Sequence, residues 1–474
     1  MNRNTRFPKW LGSIALGLCM PLVIVPNASA VETDYAWKIN VTGEGDRGRD
    51  LGLLGLDDST EAFLDTTPWA HFQFSPQWSA FVRVRLFAPT GTVLSNGNDN
   101  NNASATNETF LGLKEAWIDY GGLTSYPDES IRFGRQRIRQ DDALYWDQDI
   151  DSLRWIFNTT LLQAEIGVGK EFGTYRTDDV KLPPDQKNRI YTFGALSGEW
   201  HPQQRIGVRF VHADDDGGGP GIGEIVNSRT KLQNGHLTWA GFFLDNHYYD
   251  GLDAPALVYD ASMTWLLGSQ RTALVDPLSQ TVTGRDSDNL HAWAADVGLR
   301  YRLPIEKFPL QLGASYRYSS GGHAGDLSDQ FAQTGLQSNY STFTGTRALI
   351  NRFTDAYRAE LGNLRVGSAY ASLNFGQNWD TSLIWSRYNR VHGDAPVTVD
   401  NLLVEPNTIS RDLGDGYDFV LTRYFGGRTE QRNWLLADEH QSSLRLRGSV
   451  FDPGSAYAQG DPEYRVTLEL TLWY

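Results

Sequence analysis

The sequence predicts an all-β protein, a single 18-stranded antiparallel transmembrane β-barrel. Three observations carry this expectation. Segments of about ten residues alternate apolar and polar side chains between clusters of Gly, Asn, Asp and Pro. The connections between these segments alternate short and long along the chain. The N-terminus reads as a secretory signal, and beyond it no apolar run approaches the roughly 18 to 20 residues that a spanning helix needs.

The first segment sets the destination. Arg3, Arg6 and Lys9 come with no acid, the stretch from Trp10 to Val25 is apolar, and Ala28-Ser29-Ala30 supplies small residues for cleavage. Residues 1–30 are expected to be removed as a signal peptide, leaving 31–474 as one barrel. The only cysteine, Cys19, falls in the signal, and Leu18 occupies the position where a lipoprotein signal carries a small residue. The mature chain therefore has no disulfide, thiolate metal site or thiol nucleophile. A composition of 40% hydrophobic and 21% charged residues in 474 excludes a collagen, a coiled coil and a disordered chain. The formal charge of −15 becomes more negative once the signal's cations leave, which disfavours a nucleic-acid partner. Of the 42 Lys and Arg only 8 are Lys, and the excess of Arg suits carboxylate or phosphate contacts, because guanidinium holds its charge and grips such groups with a planar fork.

Strands are predicted near 35–43, 66–75, 78–88, 109–120, 130–139, 151–159, 162–172, 189–200 and 204–213 in the first half. The second half adds 234–244, 256–266, 291–303, 309–318, 362–375, 378–389, 416–425, 442–451 and 463–474. The last is the clearest: Tyr464, Val466, Leu468, Leu470, Leu472 and Tyr474 share one face, Arg465, Thr467, Glu469, Thr471 and Trp473 the other. In a water-soluble barrel the apolar faces would point inward. In lipid they point outward, since an Arg facing mid-bilayer costs about 2 to 4 kcal/mol. An even strand count puts both termini on the periplasmic side and leaves no unpaired edge in lipid. Near 121–129, 245–255 and 426–441 the periplasmic connections are longer than simple turns, and the segments 89–108 and 426–441 are candidate gates.

An eighteen-stranded barrel encloses an aqueous interior, so transport is the expected function unless the wall carries chemistry. No Gly-x-Ser-x-Gly elbow, His-Glu-x-x-His motif or P-loop is present, and the nine His anchor no motif, so an enzyme, a cofactor and a metal are not expected. Arginine supplies the positive signal. Arg135, Arg137 and Arg139 alternate along one segment and are assigned to the lumen, with Arg83 and Arg85, Arg300 and Arg302, and Arg445 and Arg447 as further pairs. Cations about 6.5 to 7 Å apart on one wall repel, so they require acids or an anionic guest. Glu165, Glu171, Asp260, Asp296 and Glu469 could serve, and a purely structural Arg/acid ladder is the alternative.

Several motifs go further. Phe133-Gly134-Arg135-Gln136-Arg137 with Trp146-Asp147 and Ile150, Glu115-Ala116-Trp117-Ile118-Asp119-Tyr120, Tyr175-Arg176-Thr177-Asp178, Phe343-Thr344-Gly345-Thr346-Arg347 and Pro453-Gly454-x-Ala456-Tyr457 resemble the alginate-export porin family of bacterial outer membranes. The similarity runs from about Val41 to the C-terminus. It implies a monomeric barrel that passes alginate, a linear polyuronate, from periplasm to exterior. The implied partners are the polymer, outer-membrane lipid and lipopolysaccharide, and periplasmic alginate-secretion proteins. The family's electropositive constriction falls here on Lys114 and Glu115, Arg137, Arg358, and Arg445 or Arg447, with Asp178 as a loop acid and Asp147 as a second. Lys38, Arg83, Arg85, Arg300 and Arg302 are secondary lumen cations. There are departures. Family cations are replaced by Thr67, Leu349 and Asn40, Lys38 lies two positions from Asn40, and Lys114 sits on the outward parity unless a bulge rotates its strand. A general or small-anion porin is the alternative function, because the same barrel and cations would serve it.

Overall fold

The computed structural model describes residues 31–474 except 56–57, 92–107, 127, 179, 181, 183–185, 187, 216–218, 226–232, 247–255, 277–278, 280, 306–308, 377, 426–440 and 458–459. The signal segment and most of both candidate gates lie outside the described residues. The chain forms β1 (Glu32–Arg47), β2 (Ser59–Ser75), β3 (Trp78–Pro89), β4 (Phe110–Tyr120), β5 (Glu129–Arg139), β6 (Asp147–Asn158), β7 (Leu162–Lys170), β8 (Ile190–His201), β9 (Gln204–Asp215) and β10 (Gln233–Asp245). It continues with β11 (Leu257–Val275), β12 (Val282–Arg302), β13 (Leu310–Ser319), β14 (Tyr340–Ser341), β15 (Ile350–Asn351), β16 (Leu364–Phe375), β17 (Trp379–Arg390), β18 (Asp412–Phe425), β19 (Ser442–Pro453) and β20 (Glu463–Trp473). Apart from the short pair β14–β15, these strands make one antiparallel 18-stranded sheet, closed where β1 pairs with both β2 and β20. Each predicted strand is present. The largest differences in length are at β11 and β12, which run to 19 and 21 residues. Trp37 and Tyr474 exchange backbone hydrogen bonds, so both termini share one end, called here the near end.

Closure in a bilayer is a backbone requirement, because an amide or carbonyl left unpaired in hydrocarbon costs several kcal/mol. Once each strand is paired on both sides, pleating decides which side chains meet lipid. Phe133, Val208, Leu299, Leu383, Val466 and Leu468 project outward and are at least half exposed, whereas the inward Asp296, Arg317 and Arg465 are buried. The predicted alternation at β3, β12, β19 and β20 holds in this sense.

Two departures from a plain cylinder shape the interior. The first is the β5–β6 hairpin. β4–β5 pairing ends at Ala116↔Arg135 and β6–β7 pairing at Asp151↔Lys170, while β5 and β6 stay paired to each other up to Arg139↔Asp147. The vacated edge of β4 is taken by residues 175–177: Leu113 N–H donates to Tyr175 O and Thr177 N–H to Leu111 O. The freed hairpin tip turns into the bore, where Leu144, Tyr145 and Trp146 are buried with Tyr191, Phe193 and Trp239 of the wall.

The second is the connection from β13 to β16, residues 320–363. It also folds inside, burying Phe331, Leu336, Phe353, Tyr357 and Leu361 in the same apolar cluster. Its tip reaches the near end: Arg300 donates to Phe343 O at 3.1 Å, and Gln311 and Asn374 donate to Gly345 O at 3.3 and 3.2 Å. Gly345 has φ +82°, a conformation that favours glycine, and a Cβ there would press on the Gln311 and Arg300 side chains that hold the turn.

The outward assignment of the apolar face has a direct consequence. Leu468→Arg, at the middle of β20, is expected to cost about 2 to 4 kcal/mol of folding free energy in vesicles. Urea titration followed by tryptophan fluorescence checks it, with Leu468→Ile as a near-neutral control.

Candidate functional site

The sequence-predicted cations fall into two groups joined by the lumen loop. The first surrounds the bent hairpin. A register shift opposite Arg83 and Val84 leaves Lys114 as the bulged residue of β4, and its Nζ lies 3.8 Å from Asp149 Oδ2. Glu115 turns inward, 3.4 Å from Arg83 Nε, and accepts the backbone N–H of Arg137 where β5 leaves the wall. Arg137 Nε donates to Asp147 Oδ1 at 2.9 Å, and Arg139 lies 4.0 Å from Asp147 Oδ2. Asp147 also accepts from Ser338 Oγ of the lumen loop at 2.6 Å.

Here the predicted alternation needs correction. Gln136 and Ile138 point into the interior, so Arg135, Arg137 and Arg139 share the parity of the lipid-facing Phe133. Arg135, still paired with β4, packs over Tyr175 and meets Asp151 at 3.5 Å on the outer side, not the lumen side. Arg137 and Arg139 are carried inside the barrel by the inward turn of the hairpin. The alternation rule binds side chains only where a strand crosses hydrocarbon, and this tip does not.

The second group lies where the lumen loop meets β12, β13, β18 and β19. Arg352 of the loop and Arg317 of the wall share Asp296, at 2.6 and 3.2 Å. Asp355 lies 3.7 Å from Arg358 and 3.5 Å from Arg447 and accepts the Tyr340 hydroxyl at 2.5 Å. Burial pushes the Asp355 carboxyl up, but the Arg447 and Arg358 guanidiniums together with the Tyr340 hydroxyl more than offset this and hold it below the ordinary carboxylate range. Thr354 Oγ1 donates to Asp418 at 2.9 Å, and Ala356 N–H to Ser449 Oγ. Arg445 faces Glu469 at 3.4 Å.

The remaining predicted residues sit apart. Arg85 makes a two-pronged contact with Asp65, Asp178 is held by Arg176, and Arg300 donates to loop carbonyls. Arg302 ends β12 on the face of Arg300, and Lys38 lies over the Trp473 ring. Lys38 is also the registered partner of Thr67, so a cation stands across from the position where the family Arg is absent. Sequence reasoning missed Arg317, Arg352 and Asp355. A signal was available: a connection containing Phe331, Tyr340, Phe343, Ile350, Phe353 and Tyr357 is too apolar to be a solvated loop.

The family described as Alginate export matches residues 32–469. The chain belongs to the alginate-export family. Among relatives of this alginate-export barrel, the alginate production protein AlgE of Pseudomonas aeruginosa is 36% identical over 461 residues, covering 94% of this chain and 93% of that protein. The AlgE of Azotobacter vinelandii is 32% identical over 495 residues, covering the whole of both. Of solved structures, OccAB1 of Acinetobacter baumannii superposes with a TM-score of 0.51 at 9% identity, over 93% of this chain and 96% of that one. OccAB4 of the same organism gives 0.51 at 10% identity, over 93% and 98%. At such identity the likeness concerns the fold alone. The alginate-export barrel is an outer-membrane protein and is not an enzyme.

The Asp296 cluster generates a test of the loop's seat. Removing one partner of a buried ion pair costs about 3 to 5 kcal/mol. Asp296→Ala strands both Arg317 and Arg352, and is expected to loosen the lumen loop. Trypsin should then cut folded barrels near Arg347, Arg352 or Arg358, read by fragment masses, while wild type resists.

Proposed function

We propose that this protein is the outer-membrane channel through which alginate leaves the periplasm, the polymer passing along Lys114, Arg137, Arg139, Arg358, Arg445 and Arg447. The reading rests on one observation, the membership of the chain in the alginate-export family over nearly its full length. The arrangement of these cations supports it. Each stands against an acid of the protein: Asp149, Asp147, Asp355 or Glu469. A uronate carboxylate is chemically equivalent to those acids, so it exchanges with them for the same guanidinium fork.

That balance matters for a polymer. Six cations against these four acids, with Arg83 and Glu115 cancelling each other, leave a positive excess that lowers the entry barrier for an anion in a confined interior. Binding stays weak and repeated along the path, as conduction requires, because a single tight site would stall the chain. In this reading the barrel acts as a monomer, and periplasmic secretion proteins deliver the polymer at the near end. The lumen loop and the bent hairpin narrow the interior that the polymer must thread.

The test is ion flux through proteoliposomes. Arg137→Ala is expected to reduce anion selectivity and weaken the block of iodide flux by oligomannuronate, and Arg137→Glu to do so more strongly. Neutral oligosaccharides of equal length should block little in wild type. Unchanged selectivity and block would remove Arg137 from the path, and equal block by neutral and anionic oligosaccharides would favour a general porin.

A further inference from the structure

Outside the polymer path, two connections at the far end bring together residues that neither the family resemblance nor the transport reading uses. His323 lies at the root of the lumen loop, just after β13, and His392 and Asp394 lie just after β17 in the connection 391–411. Their donor atoms all fall within 4.8 Å of one another. His323 Nδ1 is 3.3 Å from Asp394 Oδ2, and the two imidazole rings have centroids 4.0 Å apart.

We propose that His323, His392 and Asp394 form a binding site for a divalent transition metal of the zinc type, which ties the root of the lumen loop to the neighbouring connection. The geometry suits such an ion. Nitrogen and oxygen ligands about 2.0 to 2.1 Å from a tetrahedral centre lie about 3.3 to 3.4 Å from each other, and the His323–Asp394 edge already has that spacing. The other edges close by side-chain rotation. Two imidazoles and one carboxylate favour zinc, copper or nickel over calcium and magnesium, which take oxygen ligands. The exposed side chains of His323 and Asp394 leave the remaining coordination position open to solvent.

The scaffold beneath the site is set without an ion. His323 and Asp326 exchange backbone hydrogen bonds of 2.8 and 3.0 Å that define the turn carrying the first imidazole. Asn363, at the other root of the lumen loop, accepts His392 N–H at 2.8 Å and donates to His392 O at 2.9 Å. Ala324 N–H donates to Asp394 Oδ2 at 3.2 Å, which orients the carboxylate toward His323. Such supporting contacts orient ligands in established metal sites. A bound ion would take the place of the present His323 Nδ1–Asp394 Oδ2 contact.

The experiment uses the mature, tag-free barrel in detergent, stripped of metal and titrated with Zn2+ by calorimetry and with Co2+ by visible absorption. One ion per chain is expected, with a Co2+ spectrum of low coordination number and no competition by excess Ca2+. His323→Ala, His392→Ala and Asp394→Asn should each weaken binding at least tenfold, while His236→Ala, at the separate His236–Asp214 pair, should not. Zn2+ should also slow tryptic release of the lumen loop in wild type and not in His392→Ala; unheated gel mobility verifies that each variant is folded. Wild-type affinity in the His323→Ala/His392→Ala double variant, or no binding at submillimolar Zn2+, would overturn the site.

Discussion

Everything in this molecule follows from the need to satisfy each backbone amide and carbonyl without water. In hydrocarbon only a closed ladder does this for strands, and the pairing of β1 with both β2 and β20 closes it. Closure then fixes the face of every wall residue. Leu299, Val466 and Leu468 meet lipid because Arg300, Arg465 and Glu469 must not. The inward charges in turn need partners, and the sequence supplies carboxylates at matching register: Arg445 against Glu469, Arg83 against Glu115, and Arg465 against Asp46, with Glu44 reaching Arg465 from two positions along β1. Charge pairing across neighbouring strands is thus the second layer of the same constraint.

The interior is organised by the opposite chemistry. A barrel of this circumference has more bore than wall side chains can fill. Here the bent β5–β6 hairpin and the 320–363 loop contribute an apolar cluster, seated on Tyr191, Phe193, Trp239, Tyr388 and Phe451 of the wall. Ion pairs pin its periphery: Arg209 to Asp142, Arg352 to Asp296, Arg447 to Asp355. Buried pairs of this kind contribute little net stability over apolar packing, and more to fixing one arrangement. In a channel that distinction matters, because a loop held by exchangeable carboxylate contacts presents the same groups that an anionic polymer seeks.

The alternating strands were legible, and in most of them the faces too; Lys114 stood on the outward parity unless a bulge rotated its strand, and the register shift opposite Arg83 and Val84 supplies that bulge. Arg137 and Arg139, singled out with Arg135 as one alternating set on the lumen face, rested on a mistaken alternation. They reach the interior because β5 parts from β4 at Arg135, an event that depends on Leu111 and Leu113 finding another partner in 175–177. Arg317 and Arg352 were passed over because neither stands in a motif. Their importance arises only from sharing Asp296 across 56 residues of chain.

The sequence alone determined the barrel, its strand count, its orientation of faces and its family, because lipid imposes a period of two on each strand independently and family motifs are local. The tertiary structure alone decided what occupies the bore. Which hairpin leaves the wall, and which loop descends to meet Arg300 and Gln311, is settled by contacts between segments far apart in the chain, where no periodicity marks the partner.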